Sequence, residues 1–240
     1  MTLSLLLACA RTAEPTEIPL DADPNGLWWD APTATLYVAD DHGNRILKWT
    51  DADGVSVVGE LPAPADAGLG QVVLQGDRLY VTRFGKGTAG DIAWISVDGA
   101  TKGVVSDLDP TRRRVGLSVL PDGRLVDAWF VAVDGVKSGG VSAVGANGGE
   151  IELVTGLEKP IGVLVVGERL FVSDQARGVV LSAPIGGGPT RPFATLAGPD
   201  LLAPGPDGSL FTGGKDGGAW LLGADGEAHR VAAGAPATRW

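Results

Sequence analysis

Cysteine is all but absent. Cys9 is the only one in 240 residues, which rules out an intrachain disulfide framework and a cysteine metal cluster. Histidine occurs only at His42 and His229, so few residues could serve as a neutral-pH base. No segment has sustained helical periodicity, and nothing approaches the ~18 consecutive apolar residues of a membrane-spanning helix. Basic residues are in deficit: 19 Lys and Arg against 29 Asp and Glu leave a net charge of -10. That balance repels phosphate backbones and argues against nucleic acid as a partner. No Gly-x-Ser-x-Gly elbow occurs, and no helix follows Gly186-Gly187-Gly188, so the sequence carries neither a serine-hydrolase signature nor a phosphate cradle.

The chain is rich in turn formers, with 37 Gly and 16 Pro. Between the turns, aromatic and β-branched residues come in short runs, the pattern of an all-β protein. Five copies of one unit can be laid over each other. The first places Pro24 to Trp29, Thr35 to Asp40, Arg45 to Thr50 and Val55 to Leu61 as four strands. In the third copy, strands at Gly116 to Leu120, Arg124 to Phe130, Gly140 to Val144 and Glu150 to Leu157 are joined by Pro121-Asp122-Gly123 and Asn147-Gly148-Gly149. Such Asp-Gly and Asn-Gly pairs supply the positive φ of tight hairpins, so each unit is a four-stranded antiparallel meander.

The residues opening the first strands are Asn25, Leu69, Val115, Ile161 and Asp200, separated by 44, 46, 46 and 39 residues. A four-stranded sheet at this period buries both faces only by packing radially on its neighbours, as in a β-propeller. Five blades are recognisable. One more period falls at residues 235–240, so the expectation is a six-bladed ring with its last blade truncated, in a single domain spanning 16–240. A five-bladed ring closed by Thr16 to Leu20 as an outer strand is the alternative.

Residues 1–15 read as a lipoprotein-like signal segment and tether. Leu3 to Ala8 is apolar, and a small residue precedes Cys9, the expected lipidation site. The expectation is an exported periplasmic or cell-surface lipoprotein, touching the membrane only through a lipid anchor; a soluble protein with an apolar N-terminal scrap is the alternative.

In a meander, the loop opening strand one and the loop joining strands two and three share a face. Two columns therefore surround the channel mouth: the opening residues above, and Asp40, Arg83, Trp129, Asp174 and Gly214. Asn25 and Asp200 are the polar members of the first column. Their oxygens suit a hard divalent cation such as calcium, or else hold the preceding turns. Asp40 and Asp174 are substrate contacts or loop caps. Arg83 could hold an anion, or pair with Asp40 across blades. Trp129 offers a flat wall to a sugar-like ring, or is packed. His42 is a base on the mouth face, or a surface residue.

Pro24-Asn25-Gly26-Leu27, Leu36-Tyr37-Val38-Ala39-Asp40 and Asn44-Arg45-Ile46 resemble the gluconolactonase, senescence-marker and luciferin-regenerating group and NHL-type repeats. Pro199-Asp200-Leu201 ahead of Pro206-Asp207-Gly208-Ser209-Leu210-Phe211 is similar to a further blade of that group. The resemblance implies a six-bladed propeller with a divalent cation, often calcium, at the top of the channel. It makes Asn25 and Asp200 cation ligands and Asp200 also the catalytic base of metal-assisted lactone hydrolysis. The chain departs from the pattern in three ways. The Asn and Asp motifs lie four repeats apart, Leu201 stands in a glycine position, and no early Glu-Gly-Pro occurs. Two functions follow as expectations: a metal-dependent hydrolase of lactones or small esters, and a noncatalytic propeller that binds a small molecule or another protein.

Overall fold

The computed structural model describes residues 18–62, 68–85, 89–145 and 148–232. They form five four-stranded antiparallel sheets, each a meander in chain order. Blade 1 is β1 (Pro24–Asp30), β2 (Thr35–Asp40), β3 (Arg45–Thr50) and β4 (Gly54–Glu60). Blade 2 is β5 (Leu69–Gln75), β6 (Arg78–Phe84), β7 (Gly90–Ser96) and β8 (Lys102–Val104). Blade 3 is β9 (Arg113–Val119), β10 (Leu125–Val133), β11 (Val136–Val144) and β12 (Glu150–Leu157). Blade 4 is β13 (Pro160–Val166), β14 (Arg169–Asp174), β15 (Val179–Pro184) and β16 (Arg191–Thr195). Blade 5 is β17 (Leu202–Pro204), β18 (Leu210–Gly213), β19 (Ala219–Leu222) and β20 (Ala228–Ala232). The β-propeller read from the repeats is thus the fold, with five blades among the described residues. Cys9 and the sixth-blade start expected at 235–240 lie outside them. Of the expected clasp strand, only Ile18 to Leu20 are described, and they are not in a strand.

The core lies between blades rather than within them. Ile46 and Tyr37 of blade 1 pack with Val72 and Val81 of blade 2. Val73 and Ile92 of blade 2 pack with Leu117 and Val144 of blade 3. Val126 and Val141 of blade 3 pack with Val163 and Leu170 of blade 4, and Leu164 and Phe171 of blade 4 with Leu202 and Leu210 of blade 5. Each strand's alternation serves two such interfaces, because a blade is buried on both faces.

The inner strands β1, β5, β9, β13 and β17 pack one on the next, and glycine sets their spacing. A Cβ on Gly26 would lie 2.3 Å from Gly70 O, and one on Gly70 2.3 Å from Val115 O. On Gly116 it would meet Val163 N at 2.6 Å, and on Gly162 Asp200 O at 2.7 Å. These four glycines each follow an opening residue. In blade 5 that place is taken by Leu201, and among the described residues β17 and β1 do not meet as the other inner strands do.

Side chains staple neighbouring blades at the same level. Thr82 Oγ1 donates to Val115 O at 2.5 Å, and Ser173 Oγ donates to Asp200 O at 2.7 Å. One element exceeds expectation. The β10–β11 hairpin continues past Phe130 through Val133, turns at Asp134-Gly135 with positive φ at both residues, and returns from Val136. The β-branched residues flanking an Asp-Gly turn favour this extension. It lifts the hairpin above the mouth.

Candidate functional site

Four of the opening residues, Asn25, Val115, Ile161 and Asp200, converge on a cavity of about 360 Å³ at the channel mouth. Its floor is apolar: Val115, Phe130 and Ile161 are buried together, with Phe84 and Leu201 packed against them. Above this floor stand Asn25, Arg113, Lys137, Lys159, Gln175 and Asp200. The expectation that Asn25 and Asp200 share one mouth agrees with this geometry. Arg113, Lys137 and Lys159 had not been singled out.

Each cation reaches the cavity for a local reason. Arg113 opens β9, and in that strand alternate residues face opposite sides. Arg114 therefore turns into the blade, where it meets Asp127. Lys159 precedes β13 in the equivalent position. Lys137 is carried on the extended hairpin, where it pairs with Ala132 on the same sheet face as Phe130. The Arg113 guanidinium and the Lys159 ammonium lie 5.8 and 5.9 Å from the centre of the Phe130 ring. Lys159 Nζ also donates to Gln175 Oε1.

Burial pushes the Asp200 carboxyl above the usual carboxylate range, against the opposing pull of the Leu201 N–H and the charge of Lys159. Burial likewise lowers Lys159, with Lys137 and Arg113 repelling its proton. Leu201 N donates to Asp200 Oδ1 at 2.9 Å, and Asn25 Nδ2 donates to Leu69 O of the next blade at 2.6 Å.

A divalent cation does not fit this donor set. Calcium takes about six to eight oxygens, usually with several carboxylates. Among the described residues, the cavity presents one carboxylate, Asp200, and the amide of Asn25, beside three cationic side chains. Among the described residues, no group of three or more His, Cys, Asp or Glu side chains could hold a metal ion.

The other candidates do not line the cavity, and each is held by the protein itself. Asp40 is buried and accepts from Asp23 N at 2.9 Å, Gly43 N at 3.3 Å and Arg45 Nε at 2.6 Å. Asp174 accepts the backbone N–H groups of Glu158 and Lys159, both at 3.0 Å. Both are loop caps, because a buried carboxylate requires such donors. Arg83, fully buried, grips Asp91 with Nε and Nη2 at 2.5 Å and gives Nη1 to Pro62 O. Its partner is thus Asp91, not Asp40. Trp129 donates from Nε1 to Ser142 Oγ at 2.7 Å, and the Arg112 guanidinium covers its ring at 3.7 Å, leaving no wall for a sugar. His42 is exposed and does not line the cavity.

Fold and site together define a β-propeller with a cationic mouth over an apolar floor. Among solved structures it superposes on a luciferin-regenerating enzyme with a TM-score of 0.68 and 15% identity, covering 87% of this chain and 76% of that one. A calcium-binding protein, regucalcin from Agrobacterium tumefaciens, gives 0.67 and 14%, covering 86% and 73%. A gluconolactonase from Xanthomonas campestris gives 0.69 and 20%, covering 91% and 78%. At these identities the likeness is one of fold, and it agrees with the resemblance read from the blade motifs. At the level of sequence, no family model and no curated protein matches the chain.

Proposed function

We propose that the protein binds a small organic anion at the channel mouth. The observation that carries this reading is the convergence of Arg113, Lys137 and Lys159 on a cavity with one carboxylate among the described residues, in a chain whose net charge is -10. In such a chain, a cationic cavity selects anions against the field of the whole molecule. Phe130, Val115 and Ile161 suit an apolar body behind the charged group.

Calorimetric titration with benzenesulfonate, which stays ionised across the working range, tests the reading. Affinity is expected to rise as pH falls from 8 to 5. Burial raises the Asp200 pKa, and uptake of its proton removes the one negative charge among the described lining residues. Asp200→Asn should flatten the profile, and Lys159→Met should weaken binding at least about tenfold, the scale of one charge-assisted hydrogen bond. Full affinity in a folded Lys159→Met protein would overturn the proposal.

A second reading, hydrolysis of a lactone, is favoured by Asp200 and Lys159 sharing the cavity, since the product would be a hydroxy-carboxylate of the class the mouth prefers. Asp200 would take a proton from water as its oxygen adds to the carbonyl, with Lys159 facing the developing oxyanion. The carbonyl then re-forms as the ring C–O bond breaks, and Asp200 returns its proton to the leaving oxygen. Turnover of a sugar lactone that is lost in Asp200→Asn would separate this reading from binding alone. Added calcium is expected to change neither turnover nor melting temperature.

A further inference from the structure

In a chain with 29 acidic and 19 basic residues, an arginine finds a carboxylate easily. Among the described residues, Arg78, Arg113, Arg169 and Arg191 nevertheless have no carboxylate partner; the remaining arginines are all paired. Each of the four lines a cavity. Arg113 belongs to the mouth. Arg78 lies on the opposite face, in a groove of about 450 Å³ between blades 2 and 3.

The groove is built to hold that guanidinium still. It lies 4.0 Å over the Trp94 ring, and the ring is backed by Gly103, where an added Cβ would come within 2.8 Å of it. Trp94 is thus packed against both the Gly103 backbone and Arg78. Stacking fixes the plane of a guanidinium while leaving its N–H edge free to bond. The Arg78 guanidinium makes no hydrogen bond within the described residues, and neither do the Tyr80 hydroxyl and the Trp94 Nε1–H that share the groove. The neighbouring charges are already satisfied, because Arg124 holds Asp122 at 2.8 Å. Gln75 is likewise anchored, donating to Gly123 O at 2.9 Å.

We propose that this groove is a second binding site, for the oxyanion of a small organic molecule, a carboxylate or a phosphate monoester, with Arg78 as the residue that holds the anion. The Arg78 guanidinium, the Tyr80 hydroxyl and the Trp94 indole bring three or more N–H and O–H donors to one groove, enough for a planar or tetrahedral oxyanion.

The test is calorimetric titration of the full chain with phenylacetate and, separately, with phenyl phosphate. The native protein is expected to bind one probe at two sites. Arg78→Met, whose stem still covers Trp94, should lose one of them, and Lys159→Met the other. Arg78→Lys keeps the charge without the fixed plane and should weaken the groove site at least about tenfold, again the scale of one such bond. Arg191→Met should change nothing at this site. Whichever probe binds identifies the oxyanion. Unchanged stoichiometry and affinity in a folded Arg78→Met protein would overturn the proposal, whatever becomes of the mouth. Absence of any binding to the Lys159→Met protein would overturn it as well.

Discussion

Gly70 and Gly116 illustrate how single residues set the radius of the ring. At each, the carbonyl or amide of the next inner strand lies where a Cβ would be, at 2.3 and 2.6 Å. Backbone cannot step aside as a flexible side chain can, so an added methyl must push two blades apart. Gly116→Ala is expected to destabilise by about 2–4 kcal/mol, at or above the usual range for overpacking. Leu201 occupies the equivalent position with no inner strand packed on it as on the others among the described residues, so the effect of Leu201→Ala should be that of a half-buried truncation, about 1 kcal/mol. Urea unfolding of both variants checks this. Equal losses would mean that the glycine column does not register contact between blades.

At the scale of elements, blade 3 departs most from its neighbours. Arg114 of β9 meets Asp127 of β10 and, at 2.8 Å, Glu150 of β12. Arg112 joins Glu150 at 3.1 Å and Glu152 at 2.8 Å. Asp109 N donates to Glu150 at 2.8 Å, tying the connection from blade 2 to the outer strand. The cluster is only partly satisfied, because Arg114 Nε and Asp127 Oδ1 are buried without hydrogen-bond partners. Such networks cost desolvation that pairing does not fully offset.

Complete burial pushes the Asp127 carboxyl up to about 6, although Arg114 pulls it down. A raised carboxylate pKa means that the folded state holds the proton more tightly than the unfolded chain. The group's contribution to stability is therefore present at low pH and lost as pH rises through about 6. Asp127→Asn does not titrate, so it should gain on the native protein between pH 4 and pH 8, on the order of 1–3 kcal/mol. Denaturant unfolding at the two pH values measures this, and a constant difference would show that Asp127 ionises normally.

The same blade shows where sequence was and was not readable. Turns such as Pro121-Asp122-Gly123 recur with the hydrophobic runs, so the blades and their order could be inferred. Asn25 and Asp200 could be placed at the mouth from their register alone. Arg113 and Lys159 stand 46 residues apart, two ahead of Val115 and Ile161, so their spacing was visible. What was hidden was the start of β9. With Gly116 as its first residue, Arg112 to Arg114 fall in a loop, and nothing indicates which of the three faces the channel. The observed start at Arg113 decides it, because alternate strand residues oppose one another. Lys137 was concealed for the same reason, in a stretch read as loop between Phe130 and Gly140 that is instead two paired strand ends.

Over the whole molecule, the two terminal blades differ from the inner three in having one face without a neighbouring sheet among the described residues. The register of blade 1 puts Leu27, Trp29, Leu36, Leu47, Trp49 and Val57 on the face opposite the core shared with blade 2. Trp29 is 52% exposed and Val57 53%. Blade 5 exposes Phe211 and Val231. Of these residues, Leu27, Trp29, Val57, Phe211 and Val231 are exposed while Leu47 is buried, and full burial of each exposed one would be worth about 1.5–3 kcal/mol. An apolar face of this extent is a binding surface for any nonpolar solute. Nile red, being uncharged, avoids the cationic mouth and should brighten with the native protein. Trp29→Ser combined with Val57→Ser should reduce that signal several-fold. The double variant is expected to unfold at an unchanged denaturant concentration, because half-exposed side chains with no facing sheet contribute little to the folded state. Native protein that leaves the dye dark would show that this face is covered in solution, and a large fall in stability of the double variant would show the same by an independent route.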